Sequence, residues 1–181
     1  MRAAGPPGTD DLAVLTVHPR AAGGSGVVGP PDATPAADGA ELDLSFPPRR
    51  VAAGRLRTSL SSYLARHAVP AACAQQAVLC AEEAFTNALR HGGDVNGAIS
   101  VSARLVGREL ILEVRDQGCG FDASALDLEA VPDPLAVGGR GLYLIWHLAD
   151  EVEIVSHGNG APVGTTVRMR LHVGVPVAAS A

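Results

Sequence analysis

The chain has 181 residues, of which 47% are hydrophobic but only 3% aromatic, and its formal net charge is −5. This length suits one domain of ordinary size, with a core built from aliphatic side chains and alanine. The net negative charge argues against a general nucleic-acid-binding protein, because such a protein would present a basic surface.

The three cysteines, Cys73, Cys80 and Cys119, lack the spacing of a metal site. Two of them, Cys73 and Cys80, would lie two helical turns apart, about 10 Å, which is too far for a disulfide. A reduced, cytoplasmic compartment is therefore expected. The sequence shows no secretory signal and no apolar run long enough to span a membrane, so it predicts a soluble protein.

The first 40 residues are rich in Gly, Pro and Ala without periodicity, which predicts a flexible tail. Within this segment the run LAVLTV (Leu12–Val17) could form a short strand, with little support from its surroundings. The last residues, 174–181, are expected to be a second tail. The single domain then covers residues 41–173.

The domain begins with a strand and two helices. Alternation in LDLSF predicts a strand over Leu42–Phe46. Two prolines end this strand and open a helix with an apolar stripe. A second helix is predicted from near Pro70 to about His91, where two glycines end it.

Two strands follow, AISVSARL (98–105) and ELILEVRD (109–116), and the short turn VGR between them makes a hairpin the expected connection. The segment 118–139 is irregular, and a loop of this length is more often a functional lid than an idle connection. The run GLYLIWHLAD then predicts a third helix. The runs VEIVS and TTVRMRL predict a closing pair of strands.

The predicted strands alternate apolar with polar residues, so helices are expected to cover only one face of the sheet. The predicted fold class is α/β. It is a two-layer α/β sandwich with a mixed, mostly antiparallel sheet and its helices on one face.

Three polar residues of the second helix, Glu83, Asn87 and His91, stand at four-residue intervals in CAEEAFTNALRHGG. At about 100° per residue they form one polar stripe opposite the apolar residues. A carboxylate and an amide oxygen one turn apart suit Mg²⁺ held together with phosphates, or the orientation of a nucleophile. A solvated helix face whose C-terminal His complements the helix dipole also accounts for the stripe. That alternative leaves Asn87 unexplained, because Asn is unfavourable inside a helix.

The second motif is DQGCGFD, directly after a strand. Asp116 has the parity of Leu112 and Val114, so it should point toward the helix-covered face, where a carboxylate needs partners. Gly118 and Gly120 would let a flat ligand approach the backbone. A glycine-rich turn fits the same residues, as does a carboxylate that accepts a hydrogen bond from an amino group on a base.

The third motif is VGGRGLYLI, in which Gly138, Gly139 and Gly141 precede a helix. The N-terminal amides and the dipole of such a helix favour an anion, and Arg140 adds a positive charge suited to phosphate. A flexible linker before a helix explains the glycines equally well. In the fourth motif, VGTTV, the side chain of Thr165 should also face inward, where threonines are usually structural.

Taken together, these motifs resemble those of the GHKL ATPase superfamily, which has the Bergerat ATP-binding fold. Glu83-x3-Asn87-x3-His91 resembles its N box, DQGCGF its first glycine box, GGRGLYLI its second, and Gly164-Thr165 its last. Within the superfamily the N box ending in His and the tail GGRGLYLI…LADEVEI…GTTVRM resemble most closely the anti-sigma-factor serine kinases of the RsbW type.

The resemblance implies a bacterial, cytoplasmic protein that binds ATP and Mg²⁺ and phosphorylates a serine of an anti-anti-sigma protein with a STAS domain. In its alternate state such a protein sequesters a sigma factor. A homodimer is expected, with no direct contact to nucleic acid or membrane. The alternative is a nucleotide-responsive protein-binding module without phosphotransfer.

The resemblance also assigns roles to residues. Glu83 would be the general base for the serine hydroxyl, in preference to the adjacent Glu82. Asn87 would hold Mg²⁺, and Asp116 would accept the adenine amino group. The remaining residues expected to contact the nucleotide are His91, Gly118, Gly120, Gly138, Gly139, Arg140, Gly141, Leu142 and Thr165.

Overall fold

A computed structural model of the chain describes residues 12–17, 41–91, 97–120, 140–157 and 164–174. These residues form strands and helices in the order β1 (Leu12–Val17), β2 (Leu42–Phe46), α1 (Ala52–Arg66), α2 (Ala71–His91), β3 (Ile99–Val106), β4 (Glu109–Arg115), α3 (Arg140–Leu148), β5 (Glu151–His157) and β6 (Gly164–His172). The three helices and the five strands predicted within the domain are confirmed. None of the helices in these ranges is both long and apolar enough to cross a membrane.

The strands make one sheet in the order β1-β5-β6-β4-β3-β2, and each neighbouring pair is antiparallel. The parallel part of the expected mixed sheet is therefore absent among the described strands. The predicted hairpin joins β3 to β4 through a two-residue turn, in which Gly107 has a φ of +60°. This left-handed conformation favours glycine, which explains the residue found there.

The core lies between the sheet and the helices. Alternate residues of the central strands are buried, and they share one face: Ile99, Val101 and Ala103; Leu110, Leu112 and Val114; Val167, Met169 and Leu171. The opposite face carries polar residues such as Ser100 and Arg115, which are exposed. The predicted two-layer sandwich with helices on one face is confirmed, because period-two alternation leaves only one apolar face to cover.

Helix α2 contacts α1, α3 and three strands of the sheet. Its buried face is rich in alanine, with one large side chain, Phe85. Small side chains let the helix backbone lie close to the sheet. Helix α1 is held to the sheet by Tyr63, whose hydroxyl accepts a hydrogen bond of 3.1 Å from the backbone N–H of Leu105.

The predicted tail over residues 1–40 requires a correction. Leu12–Val17 forms the edge strand β1, paired with β5 from Leu12 opposite His157 to Val17 opposite Val152. A short apolar run carries little periodic signal by itself, and only pairing with β5 determines its conformation. Residues 1–11, 18–40 and 175–181 lie outside the described residues, so the remaining tail boundaries stay predictions.

Candidate nucleotide-binding site

Glu83 and Asn87 lie on the side of α2 that faces the start of α3. A Cβ atom built on Gly141 would stand 3.0 Å from Oε2 of Glu83, 3.0 Å from Nδ2 of Asn87 and 3.2 Å from its Oδ1. Both side chains are half-buried, whereas His91 at the end of the helix is exposed. A wholly solvated helix face is therefore the wrong description for the first two residues of the stripe.

The contact explains why the second glycine motif carries a glycine at position 141. Any side chain there would displace the carboxylate or the amide. Helix α3 begins at Arg140, so its first-turn N–H groups and the positive end of its dipole lie beside Glu83 and Asn87. Arg140 is exposed next to them. The side chain of Leu142 packs against the hydrophobic core, so only the backbone of this residue is available to bind a ligand.

The adjacent Glu82 faces the other way. Its two carboxylate oxygens accept hydrogen bonds from Arg57 on α1, at 2.7 Å from Nε and 2.8 Å from Nη2. Consecutive helical residues point about 100° apart, so one carboxylate joins α2 to α1 while the other lies against α3. This ion pair was not anticipated from the sequence, because no local spacing connects residues on two different helices.

Asp116 is buried, with 8% of its surface exposed, as its strand parity predicts. Its Oδ1 accepts hydrogen bonds from the backbone N–H of Gly118 at 2.8 Å and of Thr165 at 3.3 Å. Its own N–H donates to the carbonyl of Thr165 at 2.9 Å. Burial raises the pKa of Asp116, although the two backbone donors and the charge of His91 act to lower it.

Gly164 and Thr165 begin strand β6 beside Asp116. Gly164 has a φ of +135°, and a Cβ there would overlap the carbonyl oxygen of Asp116. The side chain of Thr165 is buried, as predicted, and its Oγ1 lies 3.4 Å from Oγ of Ser156 on β5. Ser156 is fully buried and was missed at the sequence level. The signal was present, because Ser156 has the inward parity of Val152 and Ile154.

The predicted residues therefore form two clusters. One joins Glu83 and Asn87 to Gly141, and the other joins Asp116 to Gly118 and Thr165. His91 lies at the end of α2, and its charge acts to lower the pKa of Asp116 in the second cluster. Gly120, two residues after Gly118, has a φ of +68°, a left-handed conformation that favours glycine. Gly138, Gly139 and most of the predicted lid lie outside the described residues.

Glu83 and Asn87 are the described side chains that could hold a metal ion at this site. The described ranges contain no group of three His, Cys, Asp or Glu side chains that could hold a metal ion by themselves. Mg²⁺ usually takes one or two protein ligands and completes its shell with phosphate oxygens and water. One amide oxygen beside one carboxylate fits an ion that arrives with a nucleotide, and does not fit an all-protein metal site.

The molecule is thus a one-sided α/β sandwich whose polar residues gather where α2, α3 and the ends of β4 and β6 meet. A family model described as "Histidine kinase-like ATPase domain" matches residues 46–171. The chain belongs to this family, and within it to the RsbW-like serine-protein kinases. Membership of an ATPase family makes ATP the nucleotide of the domain.

Several curated relatives are similar over most of the domain. The serine-protein kinase RsbW of Bacillus subtilis (strain 168) is 29% identical over 137 residues, which are 71% of this chain and 82% of that protein. RsbW of Listeria innocua serovar 6a is 30% identical over 62% of this chain and 76% of the relative. The anti-sigma F factor of Shouchella clausii is 33% identical over 49% of this chain and 62% of the relative.

A solved structure shares the fold. Part of a structure that contains the RsbU and RsbW domains of a Mycobacterium tuberculosis protein superposes with a TM-score of 0.57 at 26% identity, and the match covers 76% of this chain. This chain spans only 33% of that longer protein. The comparison therefore concerns about a third of it.

Proposed function

We propose that this chain is an ATP-dependent protein-serine kinase of the RsbW type that also acts as an anti-sigma factor. It phosphorylates an anti-anti-sigma protein with a STAS domain and holds a sigma factor in its alternate state. The observation that carries the proposal is the contact of Gly141 with Glu83 and Asn87, which joins a glycine-led helix start to a carboxylate and an amide. The names of the relatives, serine-protein kinase and anti-sigma F factor, support it.

The base of ATP binds at Asp116. Because Oδ1 receives both backbone N–H groups, Oδ2 is the atom that accepts from the adenine amino group. Guanine would turn a carbonyl oxygen toward the same carboxylate, so adenine is preferred. Gly118 and Gly120 keep side chains out of the plane of the base, and Thr165 supports the carboxylate through its N–H.

The phosphates bind at the start of α3. Backbone N–H groups of Gly138, Gly139, Gly141 and Leu142 and the guanidinium of Arg140 supply positive charge there. The amide oxygen of Asn87 would hold Mg²⁺, and the ion would supply positive charge for the phosphate oxygens when it is bound with ATP. His91, whose charge acts on Asp116, contributes near the base.

Glu83 takes the proton of the substrate serine. As the serine oxygen forms its bond to the γ-phosphorus, the bond from this phosphorus to the bridging oxygen breaks, and ADP leaves with that oxygen. The proton passes to the Glu83 carboxylate. Glu82 cannot replace it, because both of its oxygens are engaged by Arg57 on the far side of the helix.

The proposal also covers the domain boundaries, the cellular location and the oligomeric state of the protein. The kinase domain covers residues 41–173 together with strand β1. A cytoplasmic location follows from partners that act on transcription. A homodimer is proposed on the resemblance to RsbW-type proteins.

The test is to incubate the chain with Mg-ATP and the STAS protein of the same genome and to measure phosphoserine. Glu83→Gln should keep ATP binding and lower transfer by about 10²- to 10⁴-fold, the usual contribution of a general base. Glu82→Gln is the matched control and should transfer at nearly the wild-type rate. Binding of ATP and partner without phosphoserine would instead favour the nucleotide-responsive binding module.

A further inference from the structure

The charge of this protein is unevenly distributed. Residues 44–81 contain five arginines and no Asp or Glu, so their net charge is +5. Because the net charge of the whole chain is −5, the net charge of the remaining residues is −10. All five arginines are exposed: Arg49, Arg50, Arg55, Arg57 and Arg66. The α1 side of the helix layer is therefore a basic surface on an acidic protein.

A groove of about 540 Å³ runs between α1 and α2 on this surface. Its apolar lining includes Val69, Ala74, Val78 and Leu79. Leu79 leaves 38% of its surface exposed, so a large apolar side chain is open to solvent at the groove. The groove extends along α2 from Ala71 to Glu82, about 16 Å at 1.5 Å per residue, which is roughly three turns of a helix laid into it.

The Arg57–Glu82 pair closes one end of the groove. Glu82 is the only acidic side chain among the lining residues, and Arg57 neutralises it. The side chain of Arg57 is nevertheless 66% exposed, so an incoming carboxylate can reach its guanidinium.

We propose that the α1–α2 groove is the docking surface for an acidic amphipathic helix of a partner protein. Apolar side chains at helical spacing would fill the groove beside Leu79, and carboxylates on the flanks would meet Arg57 and its neighbours. A third helix in the groove of a helix pair uses ordinary helix packing. The surface lies on the Glu82 side of α2 and the nucleotide site on the Glu83 side, so both can be occupied together.

This inference rests on the partner-binding part of the proposed function and not on phosphotransfer. The probe is a fluorescein-labelled 14-residue amphipathic peptide with leucines on one face and glutamates on the other. Its matched control has lysines in place of the glutamates. Binding to the full chain is measured by fluorescence anisotropy with saturating Mg-ATP.

The glutamate peptide should bind at least about ten-fold more tightly than the lysine peptide, and added salt should weaken it. Leu79→Glu should weaken binding by about ten-fold or more, because it removes an apolar anchor and adds a like charge. Arg57→Gln should weaken it by roughly three-fold, as expected for one exposed ion pair. Arg108→Gln, an exposed arginine in the β3–β4 turn, is the matched control and should change nothing.

Unchanged ATP affinity and unfolding temperature would show that each variant is folded. Equal affinity for the two peptides, no binding of either, or no effect of Leu79→Glu would overturn the proposal. If neither peptide binds and Leu79→Glu instead breaks a dimer of the chain, the groove is a self-interface and the partner assignment is wrong. Loss of phosphotransfer with peptide binding intact would count against the kinase proposal alone.

Discussion

Gly141 at the start of α3 lies so close to Asn87 on α2 that a Cβ there would stand 3.0 Å from the amide nitrogen. Two motifs that are 54 positions apart in the chain thus meet at one contact. Because the neighbours are the polar ends of two half-buried side chains, the space is limited by groups proposed to act on ATP.

Gly141→Ala tests this contact. The methyl group would push Glu83 and Asn87 aside by a few tenths of an ångström, and ATP affinity should fall by about ten-fold, the order of effect of misplacing positioned groups. Calorimetric titration with Mg-ATP measures this affinity.

Gly54→Ala in α1, where a Cβ meets nothing within 4 Å, is the matched control. It should leave affinity unchanged and stabilise the fold by about 0.5–1 kcal/mol. Equal affinity of Gly141→Ala and wild type would show that the contact does not position the site.

Asn87→Ala should abolish measurable Mg-ATP binding, because it removes the amide oxygen proposed to hold the metal ion. Affinity for ATP in the presence of EDTA should change much less. The comparison of the two titrations, with and without Mg²⁺, is the measurement. The assignment fails if the variant binds Mg-ATP as tightly as the wild type.

Asp116→Asn should lower ATP affinity by about ten-fold or more, because the variant's NH₂ group would face the adenine amino group, donor against donor. It should also remove a pH dependence of stability. Burial raises the folded-state pKa of Asp116 above its unfolded value, so ionisation favours the unfolded chain. The wild type therefore loses stability relative to Asp116→Asn as the pH rises from about 3.9, the unfolded value, through the folded pKa.

Thermal unfolding of both proteins across this pH range gives the check. Their difference should be small at the acid end and should favour Asp116→Asn at neutral pH. A difference that does not change with pH would contradict the raised pKa.

Ser156→Ala should weaken ATP binding by roughly five-fold, the order of one lost hydrogen bond, because the Ser156 hydroxyl helps to fix Thr165, whose N–H holds the Asp116 carboxylate. A double-mutant cycle with Thr165→Val isolates the effect. If Ser156 acts through Thr165, its removal should change nothing further in the Thr165→Val background. Ser100→Ala on the exposed face of β3 is the control. If the losses of ATP affinity in the two single variants add up in the double variant, Ser156 has only a structural role.

The elements of the domain could be predicted because their signals are local. Alternation in β3, β4 and β6 and the apolar stripes of α1 and α2 depend on neighbours within one or two turns. Strand β1 could not be predicted securely, since six apolar residues in a glycine-rich segment become a strand only by pairing with β5. The four-residue spacing to Asn87 distinguished Glu83 from Glu82 in the sequence. The ion pair that holds Glu82 could not be predicted, because its partner Arg57 is 25 positions away.

The sequence by itself determined the fold class, the polar stripe on α2, and the burial of Asp116 and Thr165, because helical and strand periodicity dictate which side each residue faces. Only the tertiary structure decided that Gly141 lies against Asn87 and Glu83, that the hydroxyls of Ser156 and Thr165 lie together, and that the α1–α2 groove is open beside a basic surface. The physical reason is distance along the chain. Periodicity orients a side chain on its own element, whereas contacts between elements depend on how the whole sheet and helix layer pack.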